Sequence, residues 1–455
     1  MKNEAKRQPT KPGPRQHDGG AENKELKPHL QIEEVPTTSL KPYARNARRH
    51  SKAQVKQIAA SFKEFGIINP IIVDEDNCIL AGHGRLEAAN ASGVALLPIV
   101  RVTGLTEGQK RAYRIADNRT AETAEWEFSV LAQELKDLSS SAFEIDVTVT
   151  GFDMGAIDVM IGEHAPSAKA DEADVLPPND PNRPVITKPG DLWKLGDHQV
   201  ACGDARDIGQ LEYLLDSKAA DLVFTDPPYN VAIDRFVCGL GSVSHEEFAM
   251  ASGEMSPAEF RAFLGQITTN LSDATRDGSI HYICMDWRHL EDLLAAGREA
   301  YAELKAICVW NKTNGGMGSL YRSKHELIAV YKKSDAPHIN NIQLGKHGRT
   351  RTTVWDYAGV NAFGEERDNL AIHPTVKPVK LVEDAILDCS NRGDRVLDAF
   401  CGSGTTIIAA ERAGRRGFGL EIEPKYVDAT LRRFRALTGE EPVRLSDGAL
   451  LKSLE

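Results

Sequence analysis

Four consecutive residues carry the side chains best suited to chemistry in this sequence: Asp226, Pro227, Pro228 and Tyr229. They follow the apolar run 221–225, which predicts a buried parallel strand. Because two prolines cannot continue a sheet, the strand must end here, and the Asp226 carboxylate then faces a crevice. A carboxylate beside an aromatic ring suits a planar base that carries an exocyclic amine.

A glycine-rich turn further along the chain predicts a cofactor site. Residues 398–404 lie between a predicted strand and a predicted helix, and their glycines let a ligand approach the backbone closely. The next predicted strand ends near Glu421, whose carboxylate can accept hydrogen bonds from ribose hydroxyls. The acid Asp398 would repel a pyrophosphate, but it suits the cationic, phosphate-free S-adenosylmethionine (SAM). We therefore expect SAM as the cofactor.

The two segments together predict methyl transfer to a nucleobase. The exocyclic nitrogen of adenine or cytosine is a poor nucleophile because its lone pair is delocalised into the ring. Hydrogen bonds from the amine to Asp226 and to a proline carbonyl would free the lone pair for in-line attack on the sulfonium methyl group. A base inside a duplex is out of reach, so it must be flipped out, with Tyr229 stacking on it. No covalent intermediate is needed, and nothing near Cys401 in the sequence activates its thiol.

Composition limits the class of protein. A chain of 455 residues predicts more than one domain, and 41% hydrophobic with 27% charged residues is typical of globular protein. The sequence has no apolar stretch near the ~20 residues of a membrane span and no apolar signal core at its N-terminus, so we expect a cytoplasmic location. Seven scattered cysteines without a CxxC pair argue against a zinc site or a disulfide framework. A net charge of −11 means that DNA would have to be met by local basic patches.

The elements that position these residues fall into five predicted segments. These are a disordered tail (1–28), a small α+β domain (29–103), a helical extension (104–162), a Pro-rich linker (163–188) and a doubly wound α/β domain (189–455). In the last domain the apolar patterns predict strands at Gln199–Cys202, Leu222–Thr225, Ile280–Met285, Ala306–Trp310, Leu327–Tyr331, Arg395–Phe400 and Gly417–Ile422, and helices at Thr405–Ala413 and Lys425–Leu437. Ligands of such a sheet gather at its strand ends.

Four segments resemble the motif set of the amino-group DNA methyltransferases. They are Thr225–Asn230, His373–Pro378, Leu397–Thr406 and Gly419–Tyr426. Their order, with the Asp-Pro-Pro-Tyr segment first and the glycine-rich loop later, is that of the permuted beta group. The resemblance covers about residues 189–455 and implies a Rossmann-like fold, SAM as cofactor and double-stranded DNA as substrate.

The resemblance also implies roles for single residues. Glu421 would bind the ribose, Thr375 and Lys377 the methionine end, and Asp204 the adenine, with Asp447 as the rival of Asp204. The candidate cofactor contacts of the loop are Asp398, Phe400, Gly402, Ser403, Gly404, Thr405 and Thr406.

The first residue of the catalytic segment bears on the choice of base. Aspartate at the position of Asp226 resembles the adenine-N6 enzymes, whereas many cytosine-N4 enzymes carry serine there. We therefore expect methylation of adenine N6, with cytosine N4 as the alternative.

A basic stretch at 346–351 is a candidate for reading DNA. Lys346 can contact phosphates, and Arg349 or Arg351 can reach guanine edges. A solvated surface loop is the alternative interpretation of the same charges.

The segment Leu30–Val102 resembles the ParB/sulfiredoxin-like domain. The matching pieces are Asn46–His50, Ile58–Val73 and Ala81–Arg85. In partition proteins the equivalent box binds nucleotide phosphates, but here it holds a single arginine, Arg85, and no cysteine. We therefore favour a DNA-contacting or positioning domain, whose basic face includes Arg48 and Arg49.

The combined prediction is a bacterial or prophage-type, site-specific DNA methyltransferase. The rival interpretations are a ParB-like DNA-binding regulator with a silent methyltransferase domain, and an N-terminal nucleotide hydrolase. A homodimer and a restriction endonuclease encoded elsewhere are left open as partners.

Overall fold

The structure, a computed structural model, describes residues 31–124, 126–139, 143, 145–163, 174, 183–230, 253–312, 321–342, 351–358 and 376–455. The predicted tail, most of the predicted linker and the candidate residues Lys346, Arg349 and Thr375 lie outside the described residues. The chain divides between residues 125 and 126 into two compact units.

The first unit is a small α+β domain. Its elements are β1 (Ile32–Pro36), α1 (Lys52–Phe65), β2 (Ile71–Val73), β3 (Ile79–Ala81), α2 (His83–Ala91), β4 (Leu96–Arg101) and α3 (Glu107–Glu122). The four strands form one sheet in the order β1-β4-β2-β3. Helix α1 begins where the Ser51 hydroxyl accepts the Gln54 N–H and ends at Gly66, whose φ of 76° only glycine adopts easily.

The second unit begins with two helices and continues into a large α/β domain. The helices are α4 (Phe128–Leu138), α5 (Met154–Glu163), α6 (Ile208–Leu214), α7 (Pro257–Asp273), α8 (Leu290–Ala300), α9 (Val379–Cys389), α10 (Thr405–Ala413) and α11 (Pro424–Thr438). The strands are β5 (Leu192–Leu195), β6 (His198–Cys202), β7 (Ala220–Thr225), β8 (Thr275–Met285), β9 (Glu303–Asn311), β10 (His325–Lys332), β11 (Val354–Asp356), β12 (Arg395–Asp398), β13 (Arg416–Glu421) and β14 (Val443–Arg444).

These ten strands form one sheet in the order β11-β9-β10-β8-β7-β12-β13-β6-β5-β14. Its centre, from β8 to β6, is parallel, and helices cover both faces. Strand β7 is an example of a strand that is buried on both faces. Its Leu222 and Phe224 pack with Ile386 in one apolar cluster, whereas Val223 packs with Phe260 in another. A strand that is buried on both faces reads as a continuous apolar run. The predicted Rossmann-like, doubly wound fold is therefore confirmed.

A buried ion pair fixes α5 to this α/β domain. The Arg415 guanidinium donates to both oxygens of Asp158, at 3.1 and 2.8 Å, and Arg392 lies 3.2 Å from the same carboxylate. The side chains of Arg415 and Asp158 are at most 1% exposed. Since an unpaired charge at such a depth would be strongly unfavourable, the pair ties the position of α5 to that of the domain.

Candidate active site

The carboxyl ends of four parallel strands meet at one edge of the sheet. Strand β6 ends at Cys202, β7 at Thr225, β12 at Asp398 and β13 at Glu421. A cleft of about 1030 Å³, including space open to solvent, lies there. The candidate residues that line it are Asp204, Asp226, Pro227, Pro228, Tyr229, Lys377, Asp398, Phe400, Gly402, Ser403, Thr405, Thr406 and Glu421. The catalytic segment and the glycine-rich loop, which are far apart in the chain, are thus brought into one pocket, as the fold predicts.

Asp398 organises the glycine-rich loop. One of its carboxylate oxygens accepts the Thr225 hydroxyl (2.8 Å) and the Phe400 N–H (3.0 Å), and the other accepts the Thr406 hydroxyl (2.6 Å). Burial raises the pKa of Asp398 to about 6. From the sequence, we expected the Asp398 carboxylate to face the positive charge of the cofactor. In the structure both oxygens already bind protein donors, so its first role is to hold the loop.

Glu421 holds the same loop from the neighbouring strand. Its carboxylate accepts the N–H groups of Gly402 (2.8 Å) and Glu423 (2.9 Å), and burial raises its pKa to about 7. Gly404 does not line the cleft itself, but it turns the chain into α10 with a φ of 80°. A Cβ atom at Gly404 would lie 2.5 Å from Cγ2 of Thr430, so the turn has room only for glycine.

The catalytic segment is held by ionic contacts. One oxygen of Asp226 accepts the Tyr229 hydroxyl and the other lies on the Lys377 ammonium, both at 2.5 Å. The Lys377 ammonium also lies 3.0 Å from Glu326, whose second oxygen binds Lys312. Asp226 is therefore the end of a chain of alternating charges.

Burial and charge shift the acidities of this chain in opposite directions. Burial raises the pKa of Asp226 above its ordinary value, although Lys377 opposes the shift. For Glu326 burial acts the same way, but Lys377 and Lys312 together lower its pKa to about 2. Burial raises the pKa of Tyr229 well above its ordinary value, so the phenol stays protonated and can donate to Asp226.

Two residues of this network differ from what we expected from the sequence. Lys377, expected at the methionine end of the cofactor, lines the cleft, and its ammonium contacts Asp226 and Glu326. Glu326 was missed altogether. The signal was an acid directly before the predicted strand 327–331, but only the sheet order shows that this strand starts beside β8 at the edge of the cleft.

The two candidates for the adenine contact differ in position. Asp204 lines the cleft, with its N–H bound to Gln210 and its carboxylate paired with Arg206. Asp447 pairs with Arg444 and is absent from the cleft lining. The geometry therefore favours Asp204 over its rival.

The Cys401 thiol lies in the wall of the cleft. Burial, with Asp398 and Glu421 nearby, raises its pKa well above the ordinary value, so it stays protonated. Such a thiol is a poor nucleophile. The site therefore fits direct transfer without an enzyme-bound intermediate.

Of the candidate DNA contacts, the structure describes Arg351 in the second unit and Arg48, Arg49 and Arg85 in the first. Arg351 was expected to read guanine edges, but its guanidinium binds Asp388 (3.0 Å) and the Tyr357 hydroxyl (2.8 Å) inside the second unit. In the first unit Arg48 pairs with Glu122 at 3.0 Å, Arg49 is exposed and Arg85 is half-buried beside the start of α2.

Two features are absent from the residues that the structure describes. No three His, Cys, Asp or Glu side chains in these ranges cluster in a way that could hold a metal ion. No helix within them is long and apolar enough to cross a membrane.

Comparison with known families agrees with this site. The model N6_N4_Mtase, described as DNA methylase, matches residues 220–432, which contain both the catalytic segment and the cofactor loop. The ParB N-terminal domain matches residues 21–119, and the ParB-methyltransferase HTH domain matches residues 129–189. The HTH match spans part of the predicted helical extension (104–162) and the whole predicted linker (163–188), which were predicted as separate segments.

Individual proteins resemble each part. ParB-like nuclease domain-containing protein YnaK of Escherichia coli (strain K12) is 45% identical over 82 residues, which are 18% of this chain and 94% of YnaK. DNA adenine methyltransferase YhdJ of the same organism is 27% identical over 242 residues, covering 48% of this chain and 76% of YhdJ. The match to the crystal structure of the M1.HpyAVI–SAM complex covers 51% of this chain and 97% of the M1.HpyAVI chain. The sequence identity is 21% and the TM-score is 0.38.

The fold and the cleft define a SAM-dependent DNA methyltransferase. The chain contains a DNA methylase domain of the N6/N4 family, together with a ParB-like N-terminal domain and a ParB-methyltransferase HTH domain. SAM is its cofactor and DNA its substrate. The cleft fits the cofactor, since its wall combines the backbone of the glycine-rich loop with the Glu421 carboxylate.

Proposed function

We propose that this protein methylates the exocyclic N6 of adenine in double-stranded DNA. The observation that carries the proposal is an aspartate, Asp226, at the end of β7 with its carboxylate in the cofactor cleft. Aspartate at this position resembles the adenine-N6 enzymes. The similarity to YhdJ, which is named an adenine methyltransferase, supports the same base.

The residues around Asp226 suit an amine substrate. SAM, when bound, supplies the methyl group on a positively charged sulfur. Asp226 accepts a hydrogen bond from the target amine, which orients the nitrogen and stabilises the positive charge that it gains. After transfer the nitrogen loses a proton, which the Asp226 carboxylate, whose pKa is raised by burial, can accept. The Tyr229 ring, held by its hydroxyl, is placed to stack on the flipped base.

The same edge of the sheet offers a contact surface for the duplex. Strand β8 runs parallel to β7 with Ile283 opposite Thr225, so the residues after Met285 lie beside the catalytic segment. There Trp287 is 56% exposed, and the Arg288 guanidinium lies 5.0 Å from its ring centre. An exposed aromatic ring with a cation over it can stack on bases and meet phosphates. We infer that Trp287 and Arg288 contact the DNA, in place of Arg351.

The base can be identified directly. The full-length protein is incubated with duplex DNA from a methylation-free host and SAM carrying a deuterated methyl group, and the DNA is digested to nucleosides for mass spectrometry. The expected product is labelled N6-methyldeoxyadenosine. Labelled N4-methyldeoxycytidine would show that the methylated base is cytosine and not adenine. Absence of label with normal SAM binding would contradict it entirely. Light scattering of the same preparation tests the homodimer.

A further inference from the structure

Glu326 is a buried acid that the methyl-transfer mechanism described above does not use. It is the second residue of β10, opposite Trp310 of β9, and its side chain is 12% exposed. Its carboxylate lies 3.0 Å from the Lys377 ammonium and 3.5 Å from the Tyr229 hydroxyl, and it binds Lys312 on the other side. It is not among the residues that line the cleft, and we assign it no direct contact with the base or the cofactor.

The Lys377 ammonium competes with the substrate for Asp226. It lies 2.5 Å from one carboxylate oxygen, while the Tyr229 hydroxyl takes the other. An amine that donates to Asp226 meets this ammonium on the same oxygen. The ammonium also neutralises the carboxylate at the point where positive charge develops on the nitrogen, which weakens the stabilisation that Asp226 gives.

A second position for the Lys377 ammonium is already built. Glu326 provides a carboxylate at 3.0 Å, and the Trp310 ring lies 5.9 Å away on the same side. The Trp310 indole N–H donates to the Tyr357 carbonyl oxygen at 2.9 Å, which fixes the ring. Lys312 binds the other oxygen of Glu326 and lies 4.6 Å from the Trp310 ring centre, which holds the acid in place. Ammonium groups are attracted both to carboxylates and to ring faces.

We propose that Glu326 is a positioning residue for methyl transfer, which retains the Lys377 ammonium when the amino group of the target base takes its place on Asp226. The inference rests on the proposed role of Asp226. It adds a change of partners: Lys377 pairs with both Asp226 and Glu326 in the free enzyme and with Glu326 alone in the complex. Lys377 thus keeps the Asp226 carboxylate paired until a base enters the cleft.

The test is the isosteric variant Glu326→Gln in the full-length protein. Without the second carboxylate, Lys377 stays on Asp226, so we expect a single-turnover rate at saturating SAM and DNA that is at least about tenfold lower. Rates are expressed per cofactor-binding site, measured by SAM titration, so that misfolded protein does not enter the comparison. A wild-type rate for Glu326→Gln would overturn the proposal.

A double-mutant cycle separates positioning from a general structural role. In a Lys377→Met background the competitor is gone, so Glu326→Gln should change the rate by less than about twofold. If the tenfold loss persists in that background, Glu326 acts independently of Lys377 and the proposal is wrong.

A matched control and a benchmark complete the design. Asp221 is a partly buried acid at the opposite end of β7, where it pairs with Arg276 at 2.7 Å. Asp221→Asn removes a comparable charge far from the cleft and should keep the wild-type rate per site.

Asp226→Ala tests the proposed function separately. If this variant still transfers methyl groups, the proposed role of Asp226 is wrong, whatever the rate of Glu326→Gln.

Discussion

The two halves of the cleft are stabilised in different ways. In the cofactor half, the acids Asp398 and Glu421 bind neutral donors, which are hydroxyl groups and backbone N–H groups of the loop and its neighbouring strands. In the base half, Asp226 and Glu326 share the cation Lys377. Each half therefore holds two acids that are buried or partly buried, but only the base half supplies them with counter-charges.

The acidities of the two halves follow from this difference. Without a cation, burial raises the pKa of Asp398 to about 6 and that of Glu421 to about 7. With two lysines, the pKa of Glu326 falls to about 2 despite burial. Neutral donors in fixed positions give a rigid site for a cationic cofactor. Ion pairs that share one lysine can exchange partners when a neutral base arrives.

The largest effect in the cofactor half is expected from Gly404→Ala. The new methyl group would meet Thr430, a stiff β-branched side chain, and would shift the loop, so SAM affinity should fall by at least about tenfold. The matched control is Gly439→Ala, where φ is 76° and nothing lies within 4 Å of the added atom. Calorimetric titration of both variants with SAM checks this. Equal SAM affinity in the two variants would contradict a tightly built loop.

The absence of a cation should make cofactor binding sensitive to pH. The pKa of Glu421 is raised by burial to about 7, so the acid is ionised above pH 7 and protonated below it. The ionised form accepts hydrogen bonds and attracts cationic SAM, so affinity should fall by about tenfold from pH 8 to pH 6. Asp398, with a pKa of about 6, adds to the fall at the lower end of this range.

Glu421→Gln is the control for this pH dependence. Its SAM affinity should be lower at pH 8 and nearly constant down to pH 6.5, as measured by titration at each pH. If the SAM affinity of Glu421→Gln fell with pH as steeply as that of the wild type, another group would cause the pH dependence.

The smallest effect is expected at the rim of the base half. Trp287→Ala should raise the KM for DNA by about fivefold, the factor that 1 kcal/mol of contact energy represents, and leave SAM affinity unchanged. Tyr213 is equally exposed, at 56%, near the end of α6 that points away from the carboxyl edge. Steady-state kinetics of Tyr213→Ala should therefore match the wild type. Equal effects of the two substitutions would remove Trp287 from the DNA surface.

The halves also differ in how far the sequence predicts them. In the cofactor half, Asp398, its loop and Glu421 belong to two neighbouring strand–turn–helix units, so motif and local pattern place them together. All seven predicted strands of the α/β domain are present, and the helix Thr405–Ala413 has the predicted ends. The edge strands Val354–Asp356 and Val443–Arg444 were missed because two or three residues carry no periodic pattern.

The ionic contacts of the base half depend on the sheet order, which the local pattern does not contain. Strand β10 runs antiparallel between β8 and β9, and this position alone brings Glu326 to the carboxyl edge. Arg351 shows the same limit. A basic stretch predicted a DNA contact, but folding places Arg351 against the acids Asp384 and Asp388 of α9.

The central claim is that the cofactor half binds SAM on its own while Asp226 acts only on the base. Asp226→Ala tests it most directly, because Lys377 keeps Glu326 as its partner and the cofactor loop keeps all its donors. SAM affinity by calorimetry and single-turnover transfer to DNA are measured on one preparation. We predict SAM affinity within about twofold of the wild type and a transfer rate at least about a hundredfold lower. An equal loss of both, or transfer at the wild-type rate, would contradict the account.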